Sequence, residues 1–246
     1  MVKIHRFIFR LDFNPIFQII DSVGSNLDLF NKCAKDLGLE WQGLSVNRNR
    51  SLVIGKIQHD EIEYCNINLE PNSLGGELQL RDGKNIGEIT DTKLFKLFKV
   101  ITEDVTEKFV IQKFNRIGIR SWLILDAEES DFESLLRLFI NKVNWFNEFN
   151  HEDEKIDDAG FVLESTLDDK QKIKFIFGPY QKSESKKYFP DIKDSIGNLG
   201  IISDIDIYEY DKEIIKFRLE KYSENQLKLM EQKILKLNGI IRGVQE

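Results

Sequence analysis

Asp204 and Asp206 stand two residues apart within a strand-like run from Gly200 to Tyr210, and alternate residues of a strand point to one face. Two carboxylates placed in this way begin a site for a divalent cation, the geometry of nucleotidyltransferase-type and two-metal phosphate chemistry. Such sites also need a third acid and an upstream Gly-Ser that grips phosphate. Here Gly197 is followed by Asn198, and the nearest further acids are Asp191, Asp194 and Glu209, so the constellation is incomplete. The structural reading of the same strand puts Asp204, Asp206 and Tyr208 on the solvent face, with Ile201, Ile205 and Ile207 in the core.

Arg116, Gly118, Arg120 and Trp122 share one face of a second run, Phe114 to Leu125, and Ile117, Ile119, Leu123 and Leu125 share the other. Two arginines flanking a glycine make a flat strip of donors suited to an acidic partner, to phosphate, or to the Asp204/Asp206 strand of the same chain. An internal Arg–Asp bridge between the halves is the structural expectation. Two basic segments form a third set. Arg48 and Arg50 precede a strand, and Lys182, Lys186 and Lys187 alternate with Tyr180, Tyr188 and Phe189 in a loop. Cations interleaved with aromatics can hold phosphate and stack a base, which makes these five residues candidate nucleic-acid contacts. A long hairpin loop is equally Lys-rich for solubility, with its aromatics anchoring it to the core.

Other chemistries are excluded by spacing. The chain has no Gly-x-x-x-x-Gly-Lys-Ser/Thr phosphate cradle, no Gly-x-Gly-x-x-Gly, no Gly-x-Ser-x-Gly elbow and no His-Glu-x-x-His pair. Its three histidines, His5, His59 and His151, fall in a strand, a turn and an acidic link. Cys33 and Cys65 are the only cysteines, too few for a disulfide framework or a four-cysteine zinc site, and a reducing cytoplasm is the expected compartment. The strings Asp168-Asp169-Lys170 and Glu184-Ser185-Lys186 fall in turns or loops, whereas a metal-dependent nuclease would carry its acid and Lys on a strand. No catalytic residue and no cofactor is assigned.

The elements that position these residues follow from hydrophobic period. Lys3 to Phe13 alternates as a strand. Asn14-Pro15 opens a helix that runs to Gly38, with Gly24 a point of bending. Strands are predicted over Ser51–Gln58, Ile62–Glu70 and Glu77–Arg81, and Asp91 caps a helix with Leu94, Phe98, Ile101 and Val105 on its face. The order then repeats. The strand Phe114–Leu125 leads to a helix opened by the capping box Ser130 to Glu133, then to a hairpin (Phe161–Leu167, Lys172–Phe177), a loop from Gly178 to Leu199 and the strand Gly200–Tyr210. Ser223 opens a last helix stopped by Gly239. Each half therefore reads strand, helix, three strands, helix, at an offset of about 115 residues. The prediction is an α+β fold with halves at 1–112 and 113–246, made of two similar antiparallel sheets covered by helices and packed as one rigid unit. An undivided α+β domain is the plainer alternative.

Composition agrees with a folded chain. Of 246 residues, 41% are hydrophobic and 18 are Phe, enough apolar surface for a substantial core. The excess of 42 acids over 35 bases, a net charge of −7, argues against a general binder of nucleic acid or of membrane surfaces, and no run approaches the length of a membrane span.

Asn115-Arg116-Ile117-Gly118-Ile119-Arg120 at mid-chain, followed late by Ile202-Ser-Asp204-Ile-Asp206-Ile-Tyr208 and a terminal amphipathic helix, resembles a sporadically distributed bacterial family of uncharacterised proteins. That family is marked by a central Arg-Ile-Gly-Leu-Arg strand and an Asp-x-Asp strand before its last helix. Ile119 stands where the family has Leu, and Ser121-Trp122 where it tends to Tyr and Asn. The resemblance implies a duplicated α+β fold and the patchy distribution of phage-defence or toxin–antitoxin partners, and it carries over no catalytic residue. The expected function is that of a non-enzymatic, cytoplasmic component that binds another protein encoded nearby. The alternatives are a metal-dependent phosphate-transfer or hydrolytic enzyme built on Asp204 and Asp206, and a nucleic-acid-binding module.

Overall fold

The computed structural model describes residues 2–47, 52–59, 62–142, 156–167, 169–188, 199–213 and 218–243. In the first strand, β1 (Val2–Asp12), the buried Phe7, Phe9 and Leu11 alternate with Arg6, Ile8 and Arg10, so one face is apolar by composition alone. The chain then makes one helical turn, α1 (Gln18–Asp21), and continues as α2 (Val23–Asp36). The single helix expected here is interrupted at Ser22, two residues before Gly24, the residue of lowest helix propensity in the segment other than Pro.

Four strands follow instead of three: β2 (Gly43–Asn47), β3 (Leu52–His59), β4 (Ile62–Glu70) and β5 (Ser73–Lys84). Gly-Leu-Ser-Val-Asn has only two apolar side chains, too few for its alternation to stand out. After α3 (Ile86–Ile89) comes α4 (Lys93–Lys108), capped by Thr92 rather than Asp91; the Thr92 hydroxyl accepts from Phe95 N at 3.2 Å.

The second half contains β6 (Lys113–Asp126), α5 (Phe132–Asn141), β7 (Phe161–Thr166), β8 (Gln171–Gln181), a 3-10 turn (Lys182–Glu184) leading into α6 (Ser185–Tyr188), β9 (Leu199–Glu213) and α7 (Leu219–Arg242). Asp131, not Ser130, caps α5 by accepting from Ser134 N at 2.8 Å. The segment expected as a loop from Gly178 instead extends β8 and then forms the two short helical turns. α7 begins a turn before Ser223, because Leu219 and Tyr222 are themselves buried. It ends at Gly243, whose φ of 74° is the left-handed stop, and runs through Gly239.

The nine strands of the described residues make one antiparallel sheet in the order β2-β3-β4-β5-β1-β6-β9-β8-β7. The two expected sheets are thus joined, by the pairing of β1 with β6. Each half winds outward from its first strand through its last: β1 lies on β5, then β4, β3 and β2, and β6 lies on β9, then β8 and β7. The registers relate the halves by a local twofold at the Phe7–Ser121 pair. Leu11 pairs with Leu74 as Leu125 pairs with Ile201, and Ile8 pairs with Glu77 as Trp122 pairs with Asp204.

One face of the sheet receives the helices. Phe95 and Phe98 of α4 meet Phe7 and Phe9 at ring distances of 5.7 and 4.8 Å. Phe139 of α5 stacks on Phe161 at 6.1 Å, and Leu227, Met230 and Ile234 of α7 are fully buried. Each such side chain contributes about 1.5–3 kcal/mol by leaving water. Gly76 makes room for this packing, since a Cβ there would lie 2.5 Å from the Phe9 ring. The opposite face, which bears Arg6, Arg116, Arg120, Asp204 and Asp206, is open among the described residues except at one corner, where Tyr188 of α6 reaches over Trp122 and Tyr180. No helix among the described residues is long and apolar enough to cross a membrane.

Candidate functional site

The open face gathers its charges on the four central strands β5-β1-β6-β9. Arg120 lies directly across from Asp206 in the ladder and reaches diagonally to Asp204. Its Nε donates to Oδ1 at 2.7 Å and its Nη2 to Oδ2 at 2.5 Å, a fork on a carboxylate. Bonding to Asp204 raises the Arg120 pKa against the opposing effect of burial. Arg116 Nη2 lies 3.5 Å from Asp206 Oδ2, and the guanidinium covers the Tyr208 ring at 4.6 Å. Burial raises the Asp206 pKa above the ordinary carboxylate value, and Arg116 and Arg120 pull it down only in part. The expected bridge therefore exists as two ion pairs that join neighbouring strands of the second half and do not span the two halves. Gly118 keeps the space between the arginines clear: a Cβ there would come within 3.3 Å of Tyr208 Cβ.

Sequence reasoning missed the counterpart in the first half. Arg6 lies directly across from Gln79 and reaches diagonally to Glu77, with Nε 2.6 Å from Oε1. The approach is close but off the N–H axis, an ion pair more than an aligned hydrogen bond. Gln79 Nε2 donates to Glu77 Oε1 at 2.8 Å, and the Arg6 guanidinium lies 4.2 Å over Trp122. A signal was there to be read. Arg-x-x-x-x-Leu-Asp occurs at Arg6 to Asp12 and again at Arg120 to Asp126, placing both arginines at one position of the repeat.

Beside the Arg120–Asp204 pair is a cleft of about 280 Å³ between Trp122, Ile176, Tyr188, Ile202 and Asp204. A larger hollow of about 420 Å³, near Thr102, Thr106, Val110 and Leu219, touches none of the candidate residues. Asp204 and Asp206 do share a face, but the fork from Arg120 occupies both oxygens of Asp204, so a cation would have to displace a guanidinium. Among the described residues no group of three or more His, Cys, Asp or Glu side chains is placed to hold a metal.

Of the five candidate nucleic-acid contacts, Lys182, Lys186 and Lys187 are among the described residues. Arg48 and Arg50 lie outside the described residues, as do Asp191, Asp194, Phe189 and His151. Lys182 and Lys186 are exposed, while Lys187 is committed to Glu184 at 3.6 Å and Asp158 at 3.8 Å. Tyr188 turns inward to meet Trp122 edge-on at 6.2 Å. The cysteines are inert at neutral pH: burial pushes the Cys33 thiol to about 12, aided by its bond to Asp104, and the fully buried Cys65 well above its usual value.

Compared with protein-family models, with curated proteins and with solved structures, the chain matches none. Fold and site together define an α+β protein with helices on one side of a continuous sheet and a network of paired arginines and acids on the other.

Proposed function

We propose that the protein is a non-enzymatic binding component that holds another protein against the open face of its sheet. The observation that carries this reading is the make-up of the face. Arg116, Arg120, Trp122, Tyr208 and Tyr210 stand together there, and Arg, Trp and Tyr are the residue types that supply most of the energy at protein interfaces. Ion pairing and ring stacking already order these side chains, so little rotamer freedom remains to be lost on binding. Opposite charges are interspersed across the face, which suits a protein surface of mixed charge better than a polyanion. The family resemblance adds the setting: a bacterial phage-defence or toxin–antitoxin type system, with the partner encoded nearby and both acting in the cytoplasm.

The test is recovery of the protein from its native host with a tag on this chain alone. A partner should remain in stoichiometric amount. Arg10→Ala and Tyr210→Ala, at exposed positions on the face, should release it with the melting temperature unchanged. A protein that runs alone at every salt concentration, or that keeps its partner in both variants, ends this reading.

A further inference from the structure

A second surface, the outer edge of β7, borders the arginine face. β7 is an edge of the sheet among the described residues, and of the devices that protect an edge it carries only its short length and one charge, Glu164. Its six residues, Phe161 to Thr166, include no Lys, Pro or Gly, and its pairing with β8 runs from Phe161–Phe177 to Thr166–Lys172 without a bulge. Phe161 anchors the strand by stacking on Phe139 at 6.1 Å and Phe177 at 5.3 Å. Beyond it every residue is exposed. Val162 and Leu163, 61% and 57% exposed, present aliphatic groups on opposite faces of one edge.

The direction of the unpaired backbone follows from a single hydrogen bond at the end of the hairpin. Leu167 N donates to Gln171 O at 2.8 Å, and in an antiparallel ladder the bonded pairs alternate. Phe161, Leu163 and Ser165 therefore bond to β8, and Val162, Glu164 and Thr166 aim their N–H and C=O groups at the free edge. The same three residues put their side chains on the open face, in register with Ile176, Lys174 and Lys172.

The charges on that face say what should lie beyond. Arg120, Asp206, Lys174 and Glu164 form one row across β6, β9, β8 and β7. Their signs alternate, and the row stops on an acid at the edge. The next row ends on an aliphatic side chain: Trp122, Asp204, Ile176, Val162. From this pattern we infer that β7 accepts a tenth strand, an extended segment of another protein that sets a Lys or Arg beside Glu164 and an apolar side chain beside Val162. A second copy of this chain does not fit the edge. Antiparallel pairing of two β7 strands through all three outward residues would put Glu164 against Glu164 of the copy, a like-charge pair. A basic segment also suits a chain whose net charge is −7.

The probe is a ten-residue peptide of alternating Lys and Val, with a control in which Glu replaces each Lys. Amide hydrogen exchange is followed residue by residue on the full chain. The Lys peptide should slow exchange at Val162, Glu164 and Thr166 by about tenfold or more and leave Leu163 and Ser165 little changed, while the Glu peptide should do neither. Glu164→Lys, an exposed substitution, should reverse the preference between the two peptides. Arg10→Ala and Tyr210→Ala should leave this protection intact, so failure of the open-face reading and failure of this one are told apart. Protection by neither peptide, equal protection by both, or a preference unmoved by Glu164→Lys overturns the inference. So does self-association of the peptide-free chain that Glu164→Lys abolishes.

Discussion

The same ion pair occurs in both halves of the molecule and is put to different use in each. Arg6 faces an amide, Gln79, and reaches to Glu77; Arg120 faces an acid, Asp206, and reaches to Asp204. In the first half the pair is closed, with side chains 17% and 16% exposed and Arg6 lying under cover of Trp122 from across the twofold. In the second half Arg120 is 43% exposed, and an additional pair, Arg116 with Asp206, has no arginine to match it before Arg6 in β1. The first half holds the sheet together, and the second half carries surplus ordered charge toward solvent. The repeated element is thus closed in one half and turned toward solvent in the other.

The sharpest way to break this comparison is through the feature that sets the first half apart, the bulge at His5. Both pairings of β1 shift register between Ile4 and Arg6, and His5 is buried there with Nδ1 3.2 Å from Leu80 O. Burial lowers its pKa from 6.5 to about 4, with Lys3 adding to the effect and the backbone at Leu80 and Arg81, together with Asp126, opposing it. The unfolded chain takes up a proton near pH 6.5 and the folded one only near pH 4. This contribution is therefore fully present above pH 6.5, is lost as pH falls toward 4, and amounts to on the order of 3 kcal/mol. Melting curves across that window should show wild type losing more stability than His5→Gln. Parallel curves would mean that the bulge is not pH-sensitive.

Next in size is the contrast between the two equivalent pairs. Glu77→Ala strands a largely covered guanidinium and should cost about 2–3 kcal/mol. Asp204→Ala leaves Arg120 able to turn to water and should cost about 1–2 kcal/mol. Denaturant titrations give both numbers, and equal costs, or the reverse order, would remove the distinction between a structural and an available copy. Adding Arg120→Ala to Asp204→Ala should cost little more than either alone, since one pair accounts for both losses.

How far these features can be read from sequence depends on whether they are local. β4 spans Ile62–Glu70, as its alternation predicts, and the same-face sets Arg116/Arg120 and Asp204/Asp206 follow from a period of two that no tertiary contact can alter. Which set meets which is a matter of strand order and register, and these are fixed by contacts far apart in the chain. Glu77 shows the limit. Alternation alone makes it the first residue of a five-residue strand, whereas the register of β1 on the longer β5, Ser73–Lys84, sets it level with Ile8 and within reach of Arg6. Helix starts shifted for a related reason, since the buried Leu219 and Tyr222 extend α7 past its best capping sequence.

The smallest expected effect lies inside the second half and turns one copy into the other. Asp206 occupies the position that Gln79 holds beside Arg6, and its carboxylate is only partly compensated: Arg116 is 3.5 Å away, and burial disfavours the charge. Its raised pKa means that the charged form gains nothing from folding above that pKa. Asp206→Asn should therefore change stability by only about 0–1 kcal/mol in either direction, and Asp204→Asn, which breaks a two-bond fork, should cost more. If the open face serves recognition, Asp206→Asn should still weaken partner retention, because it removes an ordered charge and frees Arg116 to move off the Tyr208 ring. A variant as stable as wild type but poorer at holding its partner would separate the two roles at a single residue. A large loss of stability in Asp206→Asn would instead make this pair as structural as that of Arg6.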